Sequence, residues 1–175
     1  MRRLMLLRHA KAETGARGQR DVDRALAPRG RAVAPLVGSY LAAQGLLPDH
    51  VVISSARRTR ETWEGLAPAL PQTPSHNYEP RVYEAAPKAL LAVIHEAPAQ
   101  AHTLLLIGHN PGLQDLAILL TGSGDDDARH RMREKFSTAA LAVLDFAIDD
   151  WKSLAPSSGR LDRFATSRML NPDAD

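Results

Sequence analysis

Short apolar runs alternate along the chain with longer stretches in which apolar residues recur every three or four positions. Leu4 to Leu7, His50 to Ile53 and Thr103 to Ile107 are of strand length and almost wholly apolar, the pattern of strands buried on both faces. Between them, Pro28 opens a segment with Val33, Leu36, Val37, Tyr40 and Leu41 at helical spacing, and Gly45 closes it. A second helix is predicted from Arg57 toward Leu70, stopped by Pro71 at the latest, and a third opens at Pro87 and carries Leu90, Leu91, Val93 and Ile94. The run "GHNPG" breaks the Thr103 to Ile107 strand and leads into a fourth helix through Leu113, Leu116, Ala117, Leu119 and Leu120 to Gly122. Glu79 to Tyr83 reads as a short extended segment, and "GSGDDDARHRMREK" as a loop or short helix. "STAALAVLDFA" and "GRLDRFATSRML" read as late strands that pair antiparallel at a sheet edge.

Strands that alternate with helices predict a three-layer α/β/α fold around a mostly parallel central sheet with an antiparallel edge. The chain has 175 residues, the size of one ordinary domain, and a single domain over 1–175 is expected. No internal repeat is visible.

Composition narrows the chemistry. Cysteine is absent, which removes disulfides, thiolate metal sites and a cysteine nucleophile. The net charge is only +2 and aromatic residues make up 5%, so neither a polyanion binder nor a base-stacking nucleic-acid platform is expected. The apolar run after Arg2 and Arg3 stops at Arg8, too short for a secretory signal or a membrane span; no membrane association is expected, and a cytoplasmic enzyme is the default. The oligomeric state is left open.

In open parallel sheets, ligands bind beyond the carboxyl ends of the strands. Three loops begin there with polar residues: Arg8-His9, Ser54 to Arg58, and Gly108-His109-Asn110. Arginine offers planar, permanently charged donors to phosphoryl oxygens. A neutral imidazole can attack phosphorus and form a phosphohistidine that water then hydrolyses, splitting one hard displacement into two easier ones. A second histidine, with the arginines, would stabilise charge on the transferred group, and no metal or other cofactor is required. Singly, each element has a simpler reading: a hydrogen-bonded strand-end histidine, a turn of Gly, Asn and Pro, an exposed helix face for Arg57, Arg58 and Arg60. Their joint occurrence in the three loops favours the chemical reading. Asp125, Asp126 and Asp127 lack the spacing to face one ion and read as a solvated loop, and His50, His76, His95, His102 and His130 have no metal-ligand spacing.

"LMLLRHAKAE" resembles the RHG-type signature of the histidine phosphatase superfamily, the phosphoglycerate mutase-like family, with Ala10 where the namesake motif has Gly. "RHAKAE", "DRALAPRG", "SSARRTRETW", "LIGHNPG" and "KFSTAALAVLDF" follow in the order of its small SixA-type branch, whose name-giving activity is dephosphorylation of protein phosphohistidine. The resemblance implies a phosphoglycerate mutase-like fold, His9 as nucleophile, Arg8 as its phosphate-binding neighbour and His109 as the second pocket histidine. Arg58, followed by Thr59 and Thr62, matches the second arginine better than Arg57 does. Arg24 in "DRAL" matches a branch-typical arginine in the loop after the first strand that lines the pocket mouth or contacts phosphate; Arg24 and Asn110 are placed with the substrate-binding residues, and Glu84 lies where many members carry a general acid. A phosphohistidine leaving group departs more easily than an alkoxide, so Glu84 is a candidate only.

Between Arg58 and His109 there is no room for a large capping insertion, so an open pocket is expected, suited to a phosphorylated protein side chain. The expected partner is a phosphohistidine protein or another phosphorylated substrate. The alternatives are a small-molecule phosphomonoesterase or mutase with the same machinery and, from another class, a phosphate-binding module without turnover. The latter is disfavoured because Arg8, His9, Arg58 and His109 are all present.

Overall fold

Leu4, Met5, Leu6 and Leu7 are fully buried, as a strand covered on both faces requires, and their strand spans Arg2–Arg8 (β1). In this structure, a computed structural model that describes residues 1–170, β1 lies inside a seven-stranded sheet. The remaining elements follow as α1 (Pro28–Ala43), β2 (His50–Ser54), α2 (Arg57–Leu66), β3 (Ser75–Glu79), α3 (Pro87–His95) and β4 (Thr103–Gly108). Then come α4 (Gly112–Leu120), β5 (Thr121–Gly124), α5 (Asp126–Glu134), β6 (Leu141–Phe146), β7 (Gly159–Ala165) and α6 (Ser167–Leu170). The strand order is β3-β2-β4-β1-β6-β7-β5, and β6 alone runs against the others.

Alternation along β1 feeds two cores. Leu4 and Leu6 pack with residues of α3, α4 and α5, while Met5 and Leu7 pack with residues of α1 and α2. Leu104 and Leu106 of β4 join the first core and Leu105 and Ile107 the second. This is the three-layer arrangement the apolar runs predict.

Sequence and structure differ mainly at the rims of the sheet. The extended segment expected at Glu79 to Tyr83 instead spans Ser75–Glu79, and Pro80 starts a 3-10 turn, Pro80–Val82. As a rim strand β3 is exposed from Ser75 to Tyr78, so no apolar run announces it. The opposite rim, β5, comes from the polar run expected to be loop or short helix, and the rest of that run is α5. The aspartate triplet is a helix start: the Asp125 carboxylate accepts the Ala128 N–H at 2.8 Å, and Asp126 and Asp127 occupy the first turn, at the positive end of the helix dipole. The antiparallel pairing of the late segments is present, but it lies inside the sheet, between β1, β6 and β7, and the last segment leaves the sheet after Ala165 for α6. Helix α2 ends at Leu66 because Pro68 has no N–H to continue it, and a 3-10 turn, Ala67–Ala69, follows.

Two glycines set how the loops stack. A Cβ on Gly30 would collide with the Lys11 carbonyl oxygen, and one on Gly112 with that of Ala85. Both glycines therefore serve close backbone approach, of α1 to the loop after β1 and of α4 to the loop before α3. Among the described residues, no helix is long and apolar enough to cross a membrane.

Candidate active site

β1, β2 and β4 are mutually parallel neighbours, so they deliver the residues that follow them to one edge of the sheet. The His9 N–H donates to the Gly108 carbonyl at 3.1 Å, which fixes the two histidine-bearing loops side by side. The rings of His9 and His109 lie 5.3 Å apart, and both side chains are buried. Arg58 reaches the same place from the first turn of α2 and is 5% exposed.

The orientation of His9 follows from two hydrogen bonds. Its Nδ1 lies 2.7 Å from the Ala10 carbonyl oxygen, which can only accept, so Nδ1 carries the ring proton and Nε2 keeps its lone pair. The Ala10 N–H in turn donates to Thr62 Oγ1 at 3.0 Å, and Thr62 donates to the Arg58 carbonyl at 2.7 Å, tying this turn to α2. Burial pushes the His9 pKa down to about 4, opposed by the hydrogen bond to Ala10 and reinforced by the charges of Arg58, Arg8 and Arg24. At neutral pH the imidazole is uncharged.

His109 is held from the other side. Its Nε2 lies 2.7 Å from Ser54 Oγ, and that oxygen accepts the Ala56 N–H at 3.3 Å. Among the described residues the buried Ser54 hydroxyl has no other acceptor, so it donates to Nε2 and the imidazole proton sits on Nδ1. His109 Nδ1 is buried and has no partner within the protein. Burial and the neighbouring His9 and Arg58 push the His109 pKa down to about 3.

The arginines are short of counter-charge. Arg8 forms no salt bridge among the described residues; one guanidinium nitrogen donates to the Phe136 carbonyl at 3.0 Å, and its Nε has no partner. Its pKa is lowered by burial and by Arg58. Arg58 donates to Asp21 twice, to the backbone carbonyl at 2.9 Å and to Oδ2 at 3.1 Å, and its Nε is also without a partner. Orphaned buried donors around two neutral imidazoles mark a site built for an anion.

Of the residues expected here, His9, Arg8, Arg58 and His109 converge. Arg24 reaches the rim: it donates to Asp21 Oδ1 at 2.9 Å and to the Glu13 carbonyl at 2.7 Å, and its charge is felt by His9. Asn110 is not free to meet a ligand with its amide, which donates to the Phe136 carbonyl at 2.9 Å and accepts the Gln114 N–H at 3.2 Å. Arg8 donates to the same carbonyl, at 3.0 Å. Glu84 is exposed, sits in the left-handed region at φ 51°, and has no direct bond to either histidine.

Asp21, Tyr83, Ser54 and Thr62 complete the site, and the sequence reading assigns them no role. Asp21 gathers Arg58, Arg24 and the Tyr83 hydroxyl on one carboxylate, and these partners hold its pKa down at about 2, the Tyr83 bond contributing most. Tyr83 stands edge-on to His109 at 5.5 Å and carries Arg58 over its face at 5.8 Å. Burial, the bond to Asp21 and the nearby Glu84 push the Tyr83 hydroxyl up to about 12, so it remains a donor. Ser54 could have been found from its place at a strand end; Asp21 is marked only by its nearness to Arg24 in "DVDR". Among the described residues, no group of three or more His, Asp or Glu side chains could hold a metal ion.

Known proteins share this architecture. Residues 4–89 match the model of the histidine phosphatase superfamily (branch 1). The uncharacterized protein Rv1276c of Mycobacterium tuberculosis is 37% identical over 164 residues, 93% of this chain and 100% of its own length. A structure from Nakamurella multipartitia, provisionally named phosphohistidine phosphatase SixA, superposes with a TM-score of 0.81 at 30% identity, covering 94% of this chain and 95% of that one. The protein histidine phosphatase SixA complexed with tungstate shares the fold at a TM-score of 0.73 and 21% identity, over 97% and 99% of the two chains. With that coverage of sequence and fold, the chain belongs to the histidine phosphatase superfamily.

Proposed function

We propose that the protein is a phosphatase that hydrolyses phosphohistidine, or a closely related phosphorylated protein group, through a covalent phosphohistidine on His9. The single observation that carries this reading is the geometry of His9: Nδ1–H is tied to the Ala10 carbonyl, and Nε2 is left unprotonated among Arg8, Arg58 and His109. Nε2 attacks phosphorus, a P–N bond forms, and the bond to the leaving group breaks with its electron pair passing to that group. Water then attacks phosphorus, the P–N bond breaks, and inorganic phosphate leaves with His9 neutral again.

Arg8 and Arg58 neutralise the phosphoryl oxygens, and His109 Nδ1–H donates to one of them. When the leaving group is an imidazole, a strong acid is not needed. Asp21, held near 2, is ionised and cannot supply a proton; Tyr83, held near 12, keeps its proton beside His109, and Glu84 is the exposed carboxyl next to it in the chain. The SixA names of the two structural neighbours support phosphohistidine as the substrate. Turnover of a phosphohistidine protein and of sugar phosphates, compared for the native chain and His9→Ala, tests the reading. Faster turnover of the protein substrate, abolished in His9→Ala, is expected; faster turnover of sugar phosphates would replace it with a small-molecule phosphatase.

A further inference from the structure

The loop that carries His9 and the loop that leads into β6 line a separate groove of about 1210 Å³. Its inner wall holds Lys11, two residues after His9, and Ala139, whose N–H donates to the carbonyls of Arg8 and His9 at 3.0 Å each. Phe164 contributes an apolar base, and the outer walls come from the start of α1, from α5 and from α6.

The rim of this groove is basic. Lys11, Arg29, Lys135 and Arg168 line it, and among the described residues Lys11, Arg29 and Lys135 form no ion pair. Of the two carboxylates that line it, Asp127 is engaged by Arg131 at 3.0 Å, which leaves Glu134 as the single uncompensated carboxylate against Lys11, Arg29 and Lys135. The phosphoryl chemistry uses none of these cations, and the volume exceeds what a lone phosphoryl group fills. Unpaired cations around an open groove favour a ligand that brings several carboxylates to a continuous surface, which an acidic polypeptide does.

We propose that this groove docks a carboxylate-bearing segment of the phosphoprotein substrate, flanking the phosphorylated residue held at His9. The proposal rests on the phosphatase reading and names the partner's chemistry. Two phosphohistidine peptides that differ only in carrying Asp and Glu or Asn and Gln beside the phosphorylated residue provide the test, with para-nitrophenyl phosphate as a small reference. The native chain is expected to favour the acidic peptide about tenfold in kcat/KM, mainly through KM, as several exposed charge contacts imply. The preference should shrink to within about twofold in the Arg29→Gln, Lys135→Gln double variant, with turnover of the small reference unchanged, and should shrink likewise at about 0.5 M salt.

Equal rates on the two peptides, or a preference that survives both the double variant and high salt, would overturn the docking site while leaving the phosphatase reading intact. If a chain ending at Leu170 gains a preference the full chain lacks, the occupant is the chain's own acidic end, and the assignment to a substrate segment is overturned. No turnover of any phosphodonor would remove the phosphatase reading itself, and the proposal with it.

Discussion

The middle of the sheet and its ligand edge are both dry, for opposite reasons. In the middle, Leu4 to Leu7 and Leu104 to Ile107 are 0% exposed, every side chain is apolar, and burial itself stabilises. At the edge, His9, Arg58 and His109 are 7%, 5% and 6% exposed, and burial acts against charge. It holds both imidazoles neutral and leaves Arg8 and Arg58 close together, with Asp21 the only carboxylate on either among the described residues. The core is finished by folding alone, whereas the edge keeps an excess of positive charge and orphaned donors, which the proposed mechanism satisfies with an incoming phosphoryl group. Stability and activity should therefore separate by region.

The largest break in that comparison is expected from Arg58→Met, which removes a phosphoryl donor and a buried cation together. Loss of roughly 10³-fold in kcat/KM is expected, comparable to deletion of a strong transition-state donor, while the melting temperature stays level or rises as repulsion with Arg8 is relieved. Leu106→Ala should do the reverse. Truncating this fully buried core residue should cost about 3 kcal/mol in denaturant titration and leave kcat/KM of the folded protein within about threefold.

A pH titration of stability reads the edge directly. The folded His9 titrates at about 4 and an unfolded histidine near its ordinary 6.5, so between those values the unfolded chain binds the extra proton. Stability is then full above about pH 6.5 and declines toward pH 4, by on the order of 3 kcal/mol from this residue, and His9→Gln should remove that part of the decline while leaving the part due to His109. A smaller effect belongs to Tyr83→Phe, which removes the hydroxyl that Asp21 accepts while keeping the ring against His109. A fall of about tenfold in kcat/KM with an alkoxide leaving group is expected, against a change within about threefold for Glu84→Gln.

The same contrast explains what could be read in the sequence. Strands β1, β2 and β4 are announced by apolar runs because both their faces are buried, and the rim strands β3 and β5 are not, because polar residues are free to occupy them. His9, Arg58 and His109 are legible because each follows the carboxyl end of a central strand. Asp21 and Tyr83 are not, since their meaning lies in contacts across long separations, such as Arg58 to Asp21 and Tyr83 to Asp21, that no local pattern encodes. The sequence likewise points to Glu84 by residue type, while the packing sets the neighbouring Tyr83 ring against His109. Asn110 sits in the right loop, but its amide is committed to the Phe136 carbonyl, a partner supplied by the loop between α5 and β6.

The central claim is that His9 Nε2 takes up the phosphoryl group. Rapid mixing with a labelled phosphodonor, alkaline quench and mass spectrometric localisation tests it most directly. One base-stable, acid-labile phosphoryl group on His9, absent from His9→Ala, is the predicted result. Undiminished turnover in His9→Ala, or a label that forms and decays at the turnover rate on a different residue, would contradict it.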